Sequence, residues 1–497
     1  RGQLPSRGAM EVKGTREDVA RIAQTEQVKK YLERYGIVIV TNLRDFLIVE
    51  RGPAQQPVVA RELFSMADDE EDFWRNKAAH PRATAQQCGE RFIEFIKRAC
   101  LHNAPLTNPK DVAWFLASYA RDALARVEGH RQLPALQGVR TALEQALGMR
   151  FTEEKGEHFF RSSLVQTIFY GVFSAWVLWH RENPGPRARF DWRNAAWTLH
   201  VPFIRTIYEE LAKPSRLGPL NLVEVLEWVA GVLNRVDRAE FFGRFQEEHA
   251  VQYFYEPFLE AYDPDLRKEM GVWFTPPEIV KYQVARVDTV LREELELPDG
   301  LADPNVIILD LCCGTGAYLV EVIHRIAETL RDKGGDALLA SDLKKAAMER
   351  VFGFEILPAP FVVSHLQLGL MLQTQGTPLS HQEGERVGVY LTNALTGWEP
   401  PRGVKATLPL YPELQEERDA AEEVKRKKKI LVILGNPPYN AFAGVSPEEE
   451  QGLVELYKKD LNTPVQAGGW GIRKFNLDDL YIRFFRLAER RIAEMTG

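Results

Sequence analysis

The chain has 497 residues, a formal net charge of −7, and 45% apolar and 27% charged residues. The length predicts roughly three domains, and the composition is that of an ordinary globular protein, without internal repeats or low-complexity tracts. The acidic balance does not announce a nucleic-acid binder, although local patches weigh more than totals. Four cysteines without zinc-ligand spacing point to a reducing compartment.

The first zone, residues 1–60, reads as strand-rich: "AMEVKG", a polar helix "REDVARIAQTEQVKKYLERYG", then "IVIVTN" and "DFLIVERG" as a hairpin-like pair. Residues 61–265 read as helix after helix, including "GERFIEFIKRACLHN", "PKDVAWFLASYARDALARVEG" and "GPLNLVEVLEWVAGVLNRVDRAEFFGRFQEEH". The most apolar stretch, Leu164 to Trp179, falls short of the about 20 apolar residues of a membrane span and is flanked by Arg161 and His180–Arg181. It predicts a buried helix; no membrane partner and no signal peptide are expected. Residues 266–497 alternate strands ("VIILDLC", "VFGFEIL", "VGVYLTNAL", "ILVILGN") with helices, which predicts a parallel sheet covered on both faces. The final "LDDLYIRFFRLAERRIAEMTG" predicts an amphipathic helix with Leu480, Phe484, Leu487 and Ala488 on one face.

"NVIILDLCCGTGAYLVEVIHRI" is an apolar strand, a glycine turn and a helix. Gly314 and Gly316 permit a tight turn and close approach to a ligand, at the strand edge where open α/β sheets bind ligands. Leu319 stands where a dinucleotide fingerprint needs its third glycine, so that fingerprint fails. Asp310 would repel a pyrophosphate but suits a cation such as the sulfonium and amino group of S-adenosylmethionine. Glu355, ending the next strand, can hydrogen-bond ribose hydroxyls. Either carboxylate alone is equally a strand-end cap; the two in order favour a cofactor site. Upstream, "GVWFTPPEIV" predicts a capping box with Thr275 as N-cap, Pro276 at the first helical position and Glu278 three residues on.

"ILGNPPYNAF" ends an apolar strand in a stiff corner. Asn436 and the Pro437 carbonyl are two fixed acceptors, Pro438 offers no competing donor, and Tyr439 supplies a flat face for a planar base. Two acceptors can hold an exocyclic amino group and favour a pyramidal nitrogen whose lone pair points at a methyl donor. That chemistry needs preorganisation rather than a basic side chain. No catalytic cysteine is expected, and Cys312 and Cys313 read as packing residues.

"FTPP" (Phe274–Pro277), "LDLCCGTG" (Leu309–Gly316), "GFEI" (Gly353–Ile356) and "GNPPY" (Gly435–Tyr439), in this order, resemble the gamma-type amino-methyltransferases that make N6-methyladenine in DNA. The resemblance implies a Rossmann-like S-adenosylmethionine-dependent domain over 266–497, C-terminally incomplete. It also implies that Phe274, Thr275, Cys312, Gly314 and Gly316 lie at the methionine part, with Asp310 beside them. Glu355 would meet the ribose, and Asn393, with Thr392 as its rival, the adenine. In the first zone, Glu11 and Lys13 of "MEVK", followed by Gln27, resemble the E-x-K half of PD-(D/E)xK nucleases. Residues 1–10 hold no Asp or Glu to complete that metal site, so magnesium on Glu11 and one carbonyl would bind weakly.

Together these features resemble single-chain restriction–modification enzymes of types IIG, IIL and ISP, and related phage-defence methyltransferases. The fold implied is α/β: a PD-(D/E)xK-like remnant, a helical connector, and the methyltransferase domain. The implied partners are double-stranded DNA and further restriction or defence subunits, in a prokaryotic cytoplasm, with endonuclease activity and Mg2+ if the nuclease is active. An RNA or protein-glutamine methyltransferase, or a non-cleaving defence protein, is the alternative. The chain is expected to be part of a longer protein. "KRKKK" (Lys425–Lys429) reads as a solvated cationic helix end or as a phosphate contact. "VSPEEE" (Val445–Glu450) reads as a second capping box, after a loop that could close over a flipped base.

Overall fold

The computed structural model describes all residues except 1–7, 53–57, 102–105, 131–135, 148–149, 186–187, 200–201, 245–253, 264–274, 335–338, 381–383, 400–411, 440–451, 473–476 and 497. Phe274 and the "VSPEEE" capping box therefore lie outside the described residues.

The N-terminal zone is a four-stranded sheet ordered β1 (Ala9–Val12), β2 (Ile37–Thr41), β3 (Asp45–Arg51) and β4 (Val58–Ser65). β1 runs parallel to β2, and the other pairs are antiparallel. The expected single helix is two, α1 (Val19–Ala23) and α2 (Glu26–Tyr35). Asp18 caps α1, and the chain re-enters helix at Thr25. This places Val19, Ile22, Val28 and Leu32 on one sheet face, against Val38, Val40 and Val49. The opposite face packs Phe46, Ile48 and Phe64 against Phe95 of α3 (Pro81–Cys100). There Arg98 donates from Nε to Glu62 (2.8 Å), and both side chains are buried. β4 extends the strand-rich zone to Ser65.

The helical zone includes α4 (Pro109–Glu128), α5 (Glu153–Glu182), α6 (Leu222–Leu233) and α7 (Glu256–Tyr262). The run beginning "GPLNLVEV" does not stay helical through Asp237: α6 stops at Leu233, and a separate helix begins at Arg238. Within α5, Gly156–Glu182 is long and apolar enough to cross a membrane, but 89% of its apolar window is buried inside the protein. Its near-uniform apolarity matches a helix packed on all sides.

The third zone begins with α8 (Pro277–Glu293), then β5 (Ile308–Asp310), α9 (Ala317–Asp332), α10 (Leu339–Glu349), β6 (Val351–Glu355), α11 (Pro358–Thr374), β7 (Gly388–Leu391), α12 (Pro412–Lys427), β8 (Val432–Ile433) and α13 (Leu480–Glu489). The strands form an all-parallel sheet ordered β7-β6-β5-β8. Edge strand β7 is shielded by α12: the buried Glu417 carboxylate accepts from Leu391 N–H (2.8 Å) and pairs with Arg386. Phe484 and Leu487 of α13 are buried, as the amphipathic pattern predicts. One hydrophobic core runs from Val112 in α4 through α5 to Val389 in β7. The helical and α/β zones thus share their packing, and α11 lies against α5.

Candidate active site

Asp310 ends β5 at the centre of the sheet. Its Oδ1 accepts from Cys312 N–H (3.0 Å), while Oδ2 is buried without a hydrogen-bond partner. Burial, with Glu355 adding repulsion, lifts this carboxyl from 3.8 to about 7 against the Cys312 bond. Glu355, at the end of β6, accepts from Gly314 N–H (2.8 Å), Ile356 N–H (2.9 Å) and Leu357 N–H (2.8 Å). Burial still raises it to about 7 despite those three bonds. Glu355 thus staples the glycine turn to β6. Between the carboxylates the chain turns through Gly316, whose φ of 91° is strained for any side chain.

The stiff corner leaves β8 beside Asp310. Gly435 makes this approach possible, because a Cβ there would stand 2.4 Å from Asp310 Oδ1. Asn436 follows. Its Nδ2 donates to Thr275 Oγ1 (3.1 Å), and its Oδ1 accepts from Tyr439 O–H (3.0 Å). One amide N–H goes to Thr275 and the oxygen accepts from Tyr439, which leaves one lone pair on that oxygen available. Tyr439 is half-exposed, and its ring stacks on Tyr481 of α13 with centroids 5.4 Å apart.

The capping box at α8 does not form. The N-cap is Pro276, no side chain caps the helix, and Pro277 takes the first helical position. Thr275 is one residue too early to cap, so its hydroxyl is free to hold Asn436 instead. Two residues at the site carry no signal in the sequence: Tyr318, in the first turn of α9, bonds Gln283 of α8, and partial burial next to Asp310 raises its phenol to about 12. Helix-to-helix juxtaposition alone brings them in.

Asn393 lies just past β7, buried, with Oδ1 accepting from Leu395 N–H (3.0 Å). Neighbouring Thr392 accepts at Oγ1 from Lys425 Nζ (2.8 Å), which also donates to Asn393 O (2.7 Å). Lys425 is thus a buried strut rather than a solvated helix-end lysine, with its ammonium over the Phe354 ring. Lys427 and Lys429 remain exposed. The Cys312 and Cys313 thiols are both pushed well above their ordinary value, first by burial and then by Asp310 and Glu355, which leaves no thiolate nucleophile.

At the N-terminal sheet, Glu11 meets both of its expected companions: Lys13 Nζ at 2.8 Å and Gln27 Nε2 at 3.1 Å. Gln27 also donates to Tyr31 O–H (3.0 Å), an i,i+4 neighbour not singled out from the sequence. No group of three His, Cys, Asp or Glu side chains placed to hold a metal occurs among the described residues.

Residues 246–383 match the family model of the N-6 DNA methylases. The matched region contains Thr275, the glycine turn and Glu355, while Asn393 and the Asn436 corner follow it in the chain. No curated protein matches the sequence. Among solved structures, the cryoEM structure of a DrdV–DNA complex matches 98% of this chain and 42% of its own, with a TM-score of 0.53 and 18% identity. The ATP-dependent type ISP restriction–modification enzyme LlaBIII bound to DNA matches 78% of this chain and 24% of its own, with a TM-score of 0.50 and 20% identity. At these identities the shared property is the fold, and the chain spans less than half the length of either protein.

Proposed function

We propose that the chain is the methyltransferase-bearing part of a restriction–modification enzyme, moving a methyl group from S-adenosylmethionine to N6 of a flipped adenine in duplex DNA. The observation that carries this is the Asn436 amide, hydrogen-bonded to Thr275 and following the Gly435 that packs against Asp310, whose Oδ2 is buried without a hydrogen-bond partner. The family match over residues 246–383 supports the reaction class.

The donor set fits the cofactor: Asp310 Oδ2 suits a cationic amino group, and the remaining acceptor capacity of Glu355 suits a ribose hydroxyl. Thr392 and Asn393, held by Lys425 of α12, form the loop that would border the adenine. When bound, S-adenosylmethionine supplies an electrophilic methyl group. The protein's part is preorganisation. Asn436 Oδ1 and the Pro437 carbonyl accept the two amino protons of the target base. Tyr439 releases its bond to Asn436 and turns its ring from Tyr481 onto the base. Pro437 and Pro438 keep the acceptors from drifting.

We further propose that Glu11, Lys13 and Gln27 are the remnant of a PD-(D/E)xK-like nuclease centre in an N-terminal domain of about 1–60 that extends through β4, followed by a helical connector to 265. Supporting this is the contact of Glu11 with both Lys13 and Gln27. Mg2+ would need a further ligand beside Glu11.

Labelled methyl transfer to duplex DNA, RNA and protein separates the readings, with Asn436→Ala as control. Transfer to DNA alone, lost in the variant, is expected; transfer to RNA or protein would favour the alternative substrate classes. Mg2+-dependent nicking that disappears in Glu11→Ala would establish the nuclease.

A further inference from the structure

A cavity of about 870 Å³ lies between the N-terminal sheet and the helical zone, far from the Asn436 corner in sequence and lined by none of its residues. β3 and β4 form one wall, with Glu50 and Arg61; the other carries Arg189, Arg193, Glu227 and Arg235. Its charges pair unevenly. Arg61 meets Glu50, Arg193 meets Asp191 and Glu227, Arg98 is consumed by Glu62, and Glu224 is taken by Arg126. That leaves Arg189 and Arg235 with no carboxylate partner among the described residues. Arg235 has only a long contact to Leu101 O (3.5 Å) and the Phe115 ring at 5.7 Å.

The lining balances five arginines with five carboxylates, but Arg61, Arg189 and Arg235 lie close enough to act on one another. Burial and the charge of Arg189 lower Arg61, and burial lowers Arg235, with Arg61 adding to it. Repulsion of this kind, in a concave site walled by protein, persists only at a cost that an anion would remove. Guanidinium forks match phosphate oxygens bidentately, and a volume of this size accommodates a nucleotide-sized ligand.

We propose that this cavity binds a phosphate chain through Arg61, Arg189 and Arg235, either the polyphosphate of a nucleotide or a phosphodiester segment of nucleic acid. Such a ligand would bridge β4 to the segments around residues 189 and 235, joining the N-terminal sheet to the helical zone. Occupancy would then stiffen the connection between the two.

The test is calorimetric titration of the full chain with inorganic tripolyphosphate, ATP and a short duplex, comparing wild type with Arg189→Gln, Arg189→Glu and Arg235→Gln. Arg189 is exposed, so its variants should fold normally; Arg235 is checked by its melting curve. A nucleotide-type site predicts tripolyphosphate and ATP binding, weakened at least about tenfold by each variant, with methyl transfer unchanged in Arg189→Gln. A nucleic-acid site predicts no tripolyphosphate binding, and a salt slope for duplex binding reduced by about one for each arginine removed. Tripolyphosphate binding indifferent to the variants, or no polyphosphate binding and an unchanged duplex slope, overturns the proposal. Neither result depends on the Asn436 corner, so the site and the methyltransferase reading fail separately.

Discussion

Asp310 offers a sharp test, because the fold holds its carboxyl at about 7 where an unfolded chain would hold it at 3.8. That gap corresponds to roughly 4 kcal/mol of disfavoured charge. The sign follows from linkage. A carboxyl raised by folding keeps its proton in the native state after the unfolded state has released it. Its contribution to stability is therefore fully present below pH 3.8 and is lost as pH rises to about 7. Glu355, raised to about 7, acts in the same direction. Asp310→Asn removes one of the two groups, so the ligand-free variant should hold its melting temperature better than wild type between pH 5 and 8. For a chain of this length a kcal/mol corresponds to about 1 °C, so the gap should open to around 3–4 °C by pH 8. Cofactor binding should reverse the preference: a cationic amino group at Oδ2 favours the carboxylate, and affinity should climb up to about tenfold per pH unit below 7, then flatten. Calorimetry in buffers of different ionisation enthalpy should show a proton released on binding near pH 6. Affinity that stays flat from pH 5 to 8 without proton release, or an Asp310→Asn protein that binds the cofactor as wild type does, would refute this reasoning.

Asn436→Ala should lower kcat by at least about a thousandfold, with cofactor Kd changed by less than about threefold, as read by single-turnover methyl transfer and titration. Thr275→Val, which frees the amide to rotate, should cost about ten- to a hundredfold in kcat and leave melting nearly unchanged. Lys425→Met removes the strut beneath Thr392 and Asn393; it should raise cofactor KM more than it lowers kcat, with partial recovery in Lys425→Arg. Breaking the buried Arg98–Glu62 pair by Arg98→Met should destabilise the N-terminal sheet by about 3–5 kcal/mol, and adding Glu62→Met should recover part of it, measured by denaturant melting.

The motifs carried much of this site in one dimension. Asp310, Glu355 and Asn436 each follow an apolar run short enough to be a central strand, and a parallel sheet delivers the ends of such strands to one edge. The apolar α5 was legible as a buried helix for the same reason: its composition leaves no polar face for water. Local spacing failed where the competing partner was remote. Thr275 and Glu278 have the spacing of a capping box, yet the cap falls on Pro276 and the Thr275 hydroxyl meets Asn436, 161 residues away. Lys425 reads as one lysine in a basic run, and only the packing of α12 over β7 buries it beneath Thr392.

By itself the sequence determined the order of zones, the parallel sheet and the types of groups at its edge, because strand period, glycine turns and proline corners are local properties of the chain. The tertiary structure alone decided which lone pairs stay available. It put one Asn436 N–H on Thr275, tied Glu355 to the glycine turn, left one Asp310 oxygen bare, and gathered Arg61, Arg189 and Arg235 around one cavity. Hydrogen bonding and desolvation depend on what lies within a few ångströms in space, and residues far apart in the chain supply those neighbours.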